Sequence, residues 1–438
     1  MKKRKKKQKQ STREQEDRAH HRNEFFRRLR GLSVSMGVYD VLKKYSNDDL
    51  NIMYLTRCQS LKVVVAPGSN VPKDVIETAR AVASYSTRKI KIPVLPDGSV
   101  EVNLYDYFTI YLTLMLYLTI YKDKKDVRYK PLYDACTPYM DYIEQTHQLA
   151  SNRISVVSVG LMLHENDLRK KLYIFVIKSA NENSDENSLI TNLEIISDTP
   201  EKRDFIIDGI QRPAYRMGGG DPKNRNGITY VNFPAEKLEL NFHIKNLQLP
   251  VYIQSHAIER LMERLDLVKP GAIYFNLFAS LHFYLNFVRN KNGILLLEMH
   301  LLRAKVGYLV ADIVEGCVVI RTFLFLTNSG TPESDKLSEL TGLEKEDKSY
   351  LEIDKLSTFC NSDIPKNDKL KDIFNKAGCG SLFEIEGMKE AFMEQGDSAG
   401  TKSKAQQVIE YLGLDKVPAD DEIDNNDELP EDELNDER

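Results

Sequence analysis

The chain has 438 residues, 42% hydrophobic and 29% charged, close to globular averages, which excludes collagen-like, wholly disordered and disulfide-scaffold classes. That length exceeds what one core usually fills, so two folded units with tails are expected. The net charge of −4 conceals opposed ends: residues 1–30 hold 13 Lys and Arg against 4 acids, and residues 415–438 hold 12 acids against 2 basic residues.

Neither end has enough apolar side chains to offset the entropy of ordering its backbone. This predicts a disordered basic head over residues 1–20 and a disordered acidic tail over 415–438. Between them the pattern gives an α+β chain: a mainly helical unit over 21–150 with a hairpin, a unit over 151–328 with a mixed or antiparallel sheet and two adjacent helices, and a helical extension over 329–414. The head turns helical between about residues 14 and 30, with Phe25, Phe26 and Leu29 as an apolar cluster and Gly31 as its stop. Helical pattern continues to about residue 85, broken near Pro67 and Pro72. A hairpin is expected from residues 90–95 and 100–104 around Pro96-Asp97-Gly98. Residues 104–121 are long enough to span a bilayer, yet Asp106, three Thr and five Tyr are spread through them, so a buried helix or strand pair is expected and no membrane segment. A Tyr-rich helix over 133–148 closes the unit.

Strands follow at residues 154–163, 171–178, 190–196, 204–210, 227–233 and 238–244. The period then changes to 3.6, predicting helices over 255–267 and 270–290, before strands at 294–302, 306–314 and 317–326. The start MKKRKKKQKQ is followed by no apolar stretch, and Cys58, Cys136, Cys317, Cys360 and Cys379 are scattered and never form C-x-x-C. A cytoplasmic, reducing location is therefore expected, with no metal site and no cofactor.

The segment with the most chemical content runs from Ser255 to Leu265. Ile258, Leu261, Met262 and Leu265 form one apolar stripe, while His256, Arg260 and Arg264 recur every four residues on the other side. With Ser255 as the N-cap, His256 becomes the first helical residue, where the helix dipole favours an anion and disfavours imidazolium. Two guanidinium groups on the next turns would hold phosphate oxygens, and a neutral imidazole would transfer protons. The pattern H-A-x-x-R-x-x-x-R at a helix start, then a helix, then strands, resembles small RelE-related toxin domains over residues 251–326. That resemblance implies RNA cleavage without a metal, with His256, Arg260 and Arg264 as the catalytic set.

Glu298, His300, Arg303 and Lys305 are candidates to line a cleft, Arg321 is expected in an ion pair, and His282 as a hydrogen-bonded core histidine. The run Met217-Gly218-Gly219-Gly220-Asp221, flanked by Arg212, Arg216, Lys223 and Arg225, lacks the Gly-Lys-Ser/Thr end of a phosphate loop and is expected to be a flexible loop. In the head, Lys2, Lys3, Arg4, Lys5, Lys6, Lys7, Arg27, Arg28 and Arg30 are the candidate nucleic-acid contacts, with RNA or DNA as partner. Phe25 and Phe26 are placed to stack bases or dock on a protein. The alternatives are a non-catalytic structural or packaging component of a mobile element or virus, and a protein-interaction module engaging partners through the charged tails.

Overall fold

The computed structural model describes residues 2–122, 129–180, 190–221, 223–224, 226–239, 246–388 and 403–413. The acidic tail lies outside the described residues, as do the side chains of residues 2–17. The architecture is α+β, with N-terminal helices, a mixed sheet region and C-terminal helices.

The N-terminal helices are α1 (Lys2–Ser35), α2 (Tyr39–Leu42) and α3 (Asn47–Leu55). Helix α1 does not stop at Gly31. Leu32 and Ser33 continue its buried face, and the left-handed Gly37, at φ 70°, follows its end instead. Strand β1 (Lys62–Val65) interrupts a stretch read as helical, and α4 (Lys73–Lys89) follows. The predicted hairpin is present as β2 (Lys91–Pro93) and β3 (Glu101–Asn103), antiparallel. Residues 104–122 form α5 (Leu104–Asp106), a π-helical turn (Tyr107–Tyr111) and α6 (Leu112–Lys122), buried around Tyr107 and Tyr111. Among the described residues no helix is long and apolar enough to cross a membrane.

Helix α7 (Lys130–Asp141) leads into α8 (Ile143–Glu165), where a strand was expected over residues 154–163. The β-branched residues there suggested a strand, but Ala150, Ile154, Val157 and Leu161 are the buried positions, one face of a helix. β4 (Leu172–Ala180) pairs antiparallel with β5 (Ile190–Asp198), and β1 joins β5 in parallel. Val75, Ala79 and Ala83 of α4 and Val157 and Leu161 of α8 cover this small sheet.

The larger sheet begins with β6 (Lys202–Ile207) and β7 (Ile210–Arg216). Asp208 and Gly209 turn between them at φ 52° and 77°, so the single strand expected over 204–210 is a tight hairpin. β8 (Gly218–Gly219) pairs with β9 (Thr229–Tyr230) where a flexible loop was expected. Those glycines are buried: a Cβ on Gly219 would lie 2.5 Å from the Phe278 ring. β10 (Asn232–Pro234) and β11 (Gln248–Gln254) follow, and most of the strand expected at 238–244 lies outside the described residues. Then come α9 (Ser255–Arg264), α10 (Pro270–Ala279), a π-helical turn (Ser280–Tyr284), β12 (Phe287–Arg289), β13 (Leu295–Leu301), β14 (Ala304–Val314) and β15 (Cys317–Phe325). The helix expected to reach residue 290 thus gives way to an edge strand. The strand order is β12-β13-β14-β15-β11-β7-β6, with β10 beside β11 and with β11 parallel to β15.

One face of this sheet is covered by α9, α10 and the C-terminal helices α11 (Pro332–Thr341), α12 (Lys345–Tyr350), α13 (Leu356–Asn361), α14 (Asp368–Lys376) and α15 (Lys404–Tyr411). Ile258, Leu261, Val251, Ile253, Ile320, Leu337 and Phe374 share that core. The five cysteines are buried and none of them forms a disulfide.

Helix α10 crosses α8 at Gly271, where a Cβ would stand 1.7 Å from the Leu163 carbonyl oxygen. Gly271→Ala should therefore lower stability by about 3 kcal/mol, since backbone atoms must separate. Gly31→Ala, in open space within α1, should instead add about 0.5–1 kcal/mol. Urea unfolding of the two variants measures both.

Candidate functional site

Alternation along four adjacent strands builds the site. Phe205 (β6), Ala214 (β7), Tyr252 (β11) and Val319 (β15) form a small apolar cluster on the sheet face away from α9. Two residues away along β6, β7 and β11, on the same face, stand Ile207, Arg212 and Gln254, with Arg321 at the register shift that β15 makes between its pairings with Val310 and Ala311. They line a cleft of about 260 Å³, completed by Asp208 and Ile210 of the hairpin, Thr322 and His256.

His256 reaches this cleft because α9 starts directly after β11. The N-cap is Gln254, and no side chain caps the helix, so Ser255 is the first helical residue and His256 the second, one place later than expected. Burial, then the positive charges of Arg212 and Arg260, hold the His256 imidazole below the usual histidine value of 6.5. Among the described residues no hydrogen bond or ion pair engages the His256 ring, the Arg212 guanidinium or the Gln254 amide. Arg321 differs: its Nη1 donates to Asp208 at 3.0 Å, and its Nε stands 3.1 Å from Asp312. The free positive charge in the cleft is that of Arg212.

The other two residues of the motif do not enter the cleft. Arg260 is partly exposed and pairs with Glu263 at 2.5 Å. Arg264 is turned to the C-terminal helices, where it pairs with the buried carboxylate of Asp354. The motif therefore divides: its first residue faces the cleft, its last fastens α9 to the segment before α13.

Glu298, His300 and Lys305 form a separate group. Lys305 Nζ donates to Glu333 at 2.7 Å and to Tyr308 at 3.1 Å and lies 3.6 Å from Glu298, joining β13 and β14 to α11. Burial, then Lys305, holds His300 below the usual histidine range. His282 stacks on Phe278 and lies 3.0 Å from Asp221, the hydrogen-bonded arrangement expected of it. Arg216, beside the glycine run, donates to the carbonyls of Val231 (2.5 Å) and Val251 (2.9 Å), so it supports β10 and β11. No group of three His, Cys, Asp or Glu among the described residues is placed to hold a metal ion.

In the head, Arg27 is exposed beside Glu24 and Arg30 is exposed. Arg28 is engaged internally: it donates to Asp106 at 2.6 Å and Thr109 at 2.8 Å and lies 4.3 Å over the Tyr105 ring. Phe25 is buried and Phe26 packs against Tyr54, so Phe25 has no free face for a base. The side chains of Lys2, Lys3, Arg4, Lys5, Lys6 and Lys7 lie outside the described residues.

Compared with models of protein families, with curated proteins and with solved structures, the chain finds no match in any of the three.

Sequence reasoning missed Gln254 as a site residue and placed Arg212 beside the glycine run. The signal for both was period-2 alternation, in IQRPAYR and in LPVYIQ.

The separate duties of the two α9 arginines are measurable. Arg264→Ala should cost about 3–5 kcal/mol, because it leaves Asp354 buried and uncompensated. Arg260→Ala should cost about 0.5 kcal/mol or less. Adding Asp354→Asn should recover much of the Arg264→Ala loss in a denaturation cycle.

Proposed function

We propose that this chain is a nucleic-acid-associated protein whose cleft at the start of α9 binds the phosphodiester backbone of RNA and, through His256, moves a proton during its cleavage. The observation that carries this reading is the convergence of an unpaired guanidinium and an imidazole of lowered pKa at a helix N-terminus in one cleft. A phosphate held by Arg212 and the first N–H groups of α9 sits within reach of His256. The neutral ring accepts the proton of the ribose 2′-hydroxyl as the O2′–P bond forms. The P–O5′ bond breaks, and the departing oxygen takes a proton from the imidazolium or from water, leaving a cyclic phosphate and a 5′-hydroxyl. Of the three residues that carry the resemblance to RelE-related domains, His256 alone lines the cleft, and the phosphate contact proposed here is assigned to Arg212. Basic residues of the head add affinity by counterion release, without sequence preference.

Cleavage of labelled RNA in EDTA tests this. The wild-type chain should cleave, His256→Ala should lose about 10²–10⁴-fold, and Arg212→Ala should weaken binding. Because the neutral ring of the free protein is the base, kcat/KM should rise with pH and level off through an inflection below 6.5. Equal background rates for wild type and His256→Ala would remove catalysis. Deleting residues 1–17, ahead of the buried Phe25, should flatten the dependence of RNA affinity on salt. An unchanged slope would discharge the head from that role.

A further inference from the structure

Gln254 is 2% exposed, yet among the described residues its side-chain amide has no protein partner and opens on the cleft. With no protein partner, this amide is left to hydrogen-bond whatever enters the cleft, where a ligand group of matching geometry would be held. The amide offers two N–H donors and a carbonyl acceptor in one plane. A matching ligand presents a donor and an acceptor side by side. Beside the amide, Thr322 adds a hydroxyl, and Ile207 and Ile210 add apolar walls from the hairpin tip, Ile210 being 52% exposed.

We infer that the cleft seats one unpaired nucleobase, with the Gln254 amide hydrogen-bonded to its edge and Ile207 and Ile210 against its plane, so that the ligand is single-stranded. This rests on the RNA reading above and deepens it. All four bases carry adjacent donors and acceptors on the edge that a duplex occupies, and each has an apolar ring face. A paired base has no such edge to offer. Arg212 and His256 then take the adjoining phosphate, so base and backbone are gripped by different walls of one cleft.

The test is equilibrium binding of the full chain to a short 2′-O-methyl RNA, which lacks the proton needed for cleavage. Comparison ligands are a base-free ribose-phosphate oligomer of equal length and a blunt duplex. The intact single strand should bind at least about tenfold more tightly than either, the factor for one lost hydrogen-bonded contact to a buried group. Gln254→Leu should bring the intact strand to the base-free level and leave the base-free oligomer unchanged. In the absence of RNA this variant should melt close to wild type, since no hydrogen bond to a described residue is lost. Equal binding of intact and base-free oligomers, both lost in Arg212→Ala, would overturn the base pocket and leave the phosphate reading standing. No binding of any oligomer would end both. If Gln254→Leu fails to fold, the wild-type comparison of the two oligomers decides alone.

Discussion

Strand β11 pairs in parallel with β15 and antiparallel with β7, with Ile253 opposite Ile320 on one side and Tyr215 on the other. That register decides which side chains face which way. Val251 and Ile253 enter the core under α9, so Tyr252 and Gln254 must take the other face. A slip of one residue would push Gln254 into the apolar core and lift Ile253 out of it. Because α9 begins at the next residue, the same register sets where His256 emerges. Gly271 adds a further constraint by letting α10, the next helix, lie directly on the backbone of α8.

The sheet's two faces carry different loads. The covered face is continuous with the C-terminal helices, and its polar insertions are paired: Arg264 with Asp354, and Lys305 with Glu333. The other face is rich in arginine. Arg203 is bound to Glu315, Arg216 to backbone carbonyls and Arg321 to the two aspartates, whereas Arg212 is left free. Burial raises the pKa of Tyr252 to about 12, so that hydroxyl stays protonated near neutrality, and lowers that of Arg216 from the ordinary guanidinium value. A group whose partners are all internal is a brace. A group without them is where a ligand gains most.

Much of the fold was legible because its signals were local. The β2–β3 hairpin, the strands β13 to β15 and the amphipathic α9 follow from turn residues and periodicity within a few residues. The strand expected over residues 154–163 failed because Ile154, Val156 and Val157 satisfy β propensity while Ala150, Ile154, Val157 and Leu161 satisfy a helical period, and packing on the small sheet selected the second. β1 is four residues long and finds its partner 130 positions away, a pairing that local pattern does not encode. The Asp208-Gly209 dipeptide between Ile207 and Ile210 was a readable hairpin signal absorbed into one strand. Of the site, His256 was legible from its helix, whereas Arg212, Gln254 and Arg321 come from three strands whose adjacency is tertiary.

Charge in the cleft limits what it can hold. Arg321 stands between Asp208 and Asp312, Arg260 is cancelled by Glu263, and His256 is biased to its neutral form. Arg212 alone among these adds an uncompensated positive charge. A terminal phosphate or a polyphosphate would bring two or more negative charges into a half-buried space with one cation and a nearby carboxylate, Asp208, to repel the excess. A phosphodiester carries a single charge, which Arg212 and the α9 N-terminus together match. Burial first, and then the charges of Arg212 and Arg260, disfavour the imidazolium, and an anion in the cleft would oppose the second of these effects. On the reading proposed above, a bound diester would offset the field of Arg212 and raise the proton affinity of His256.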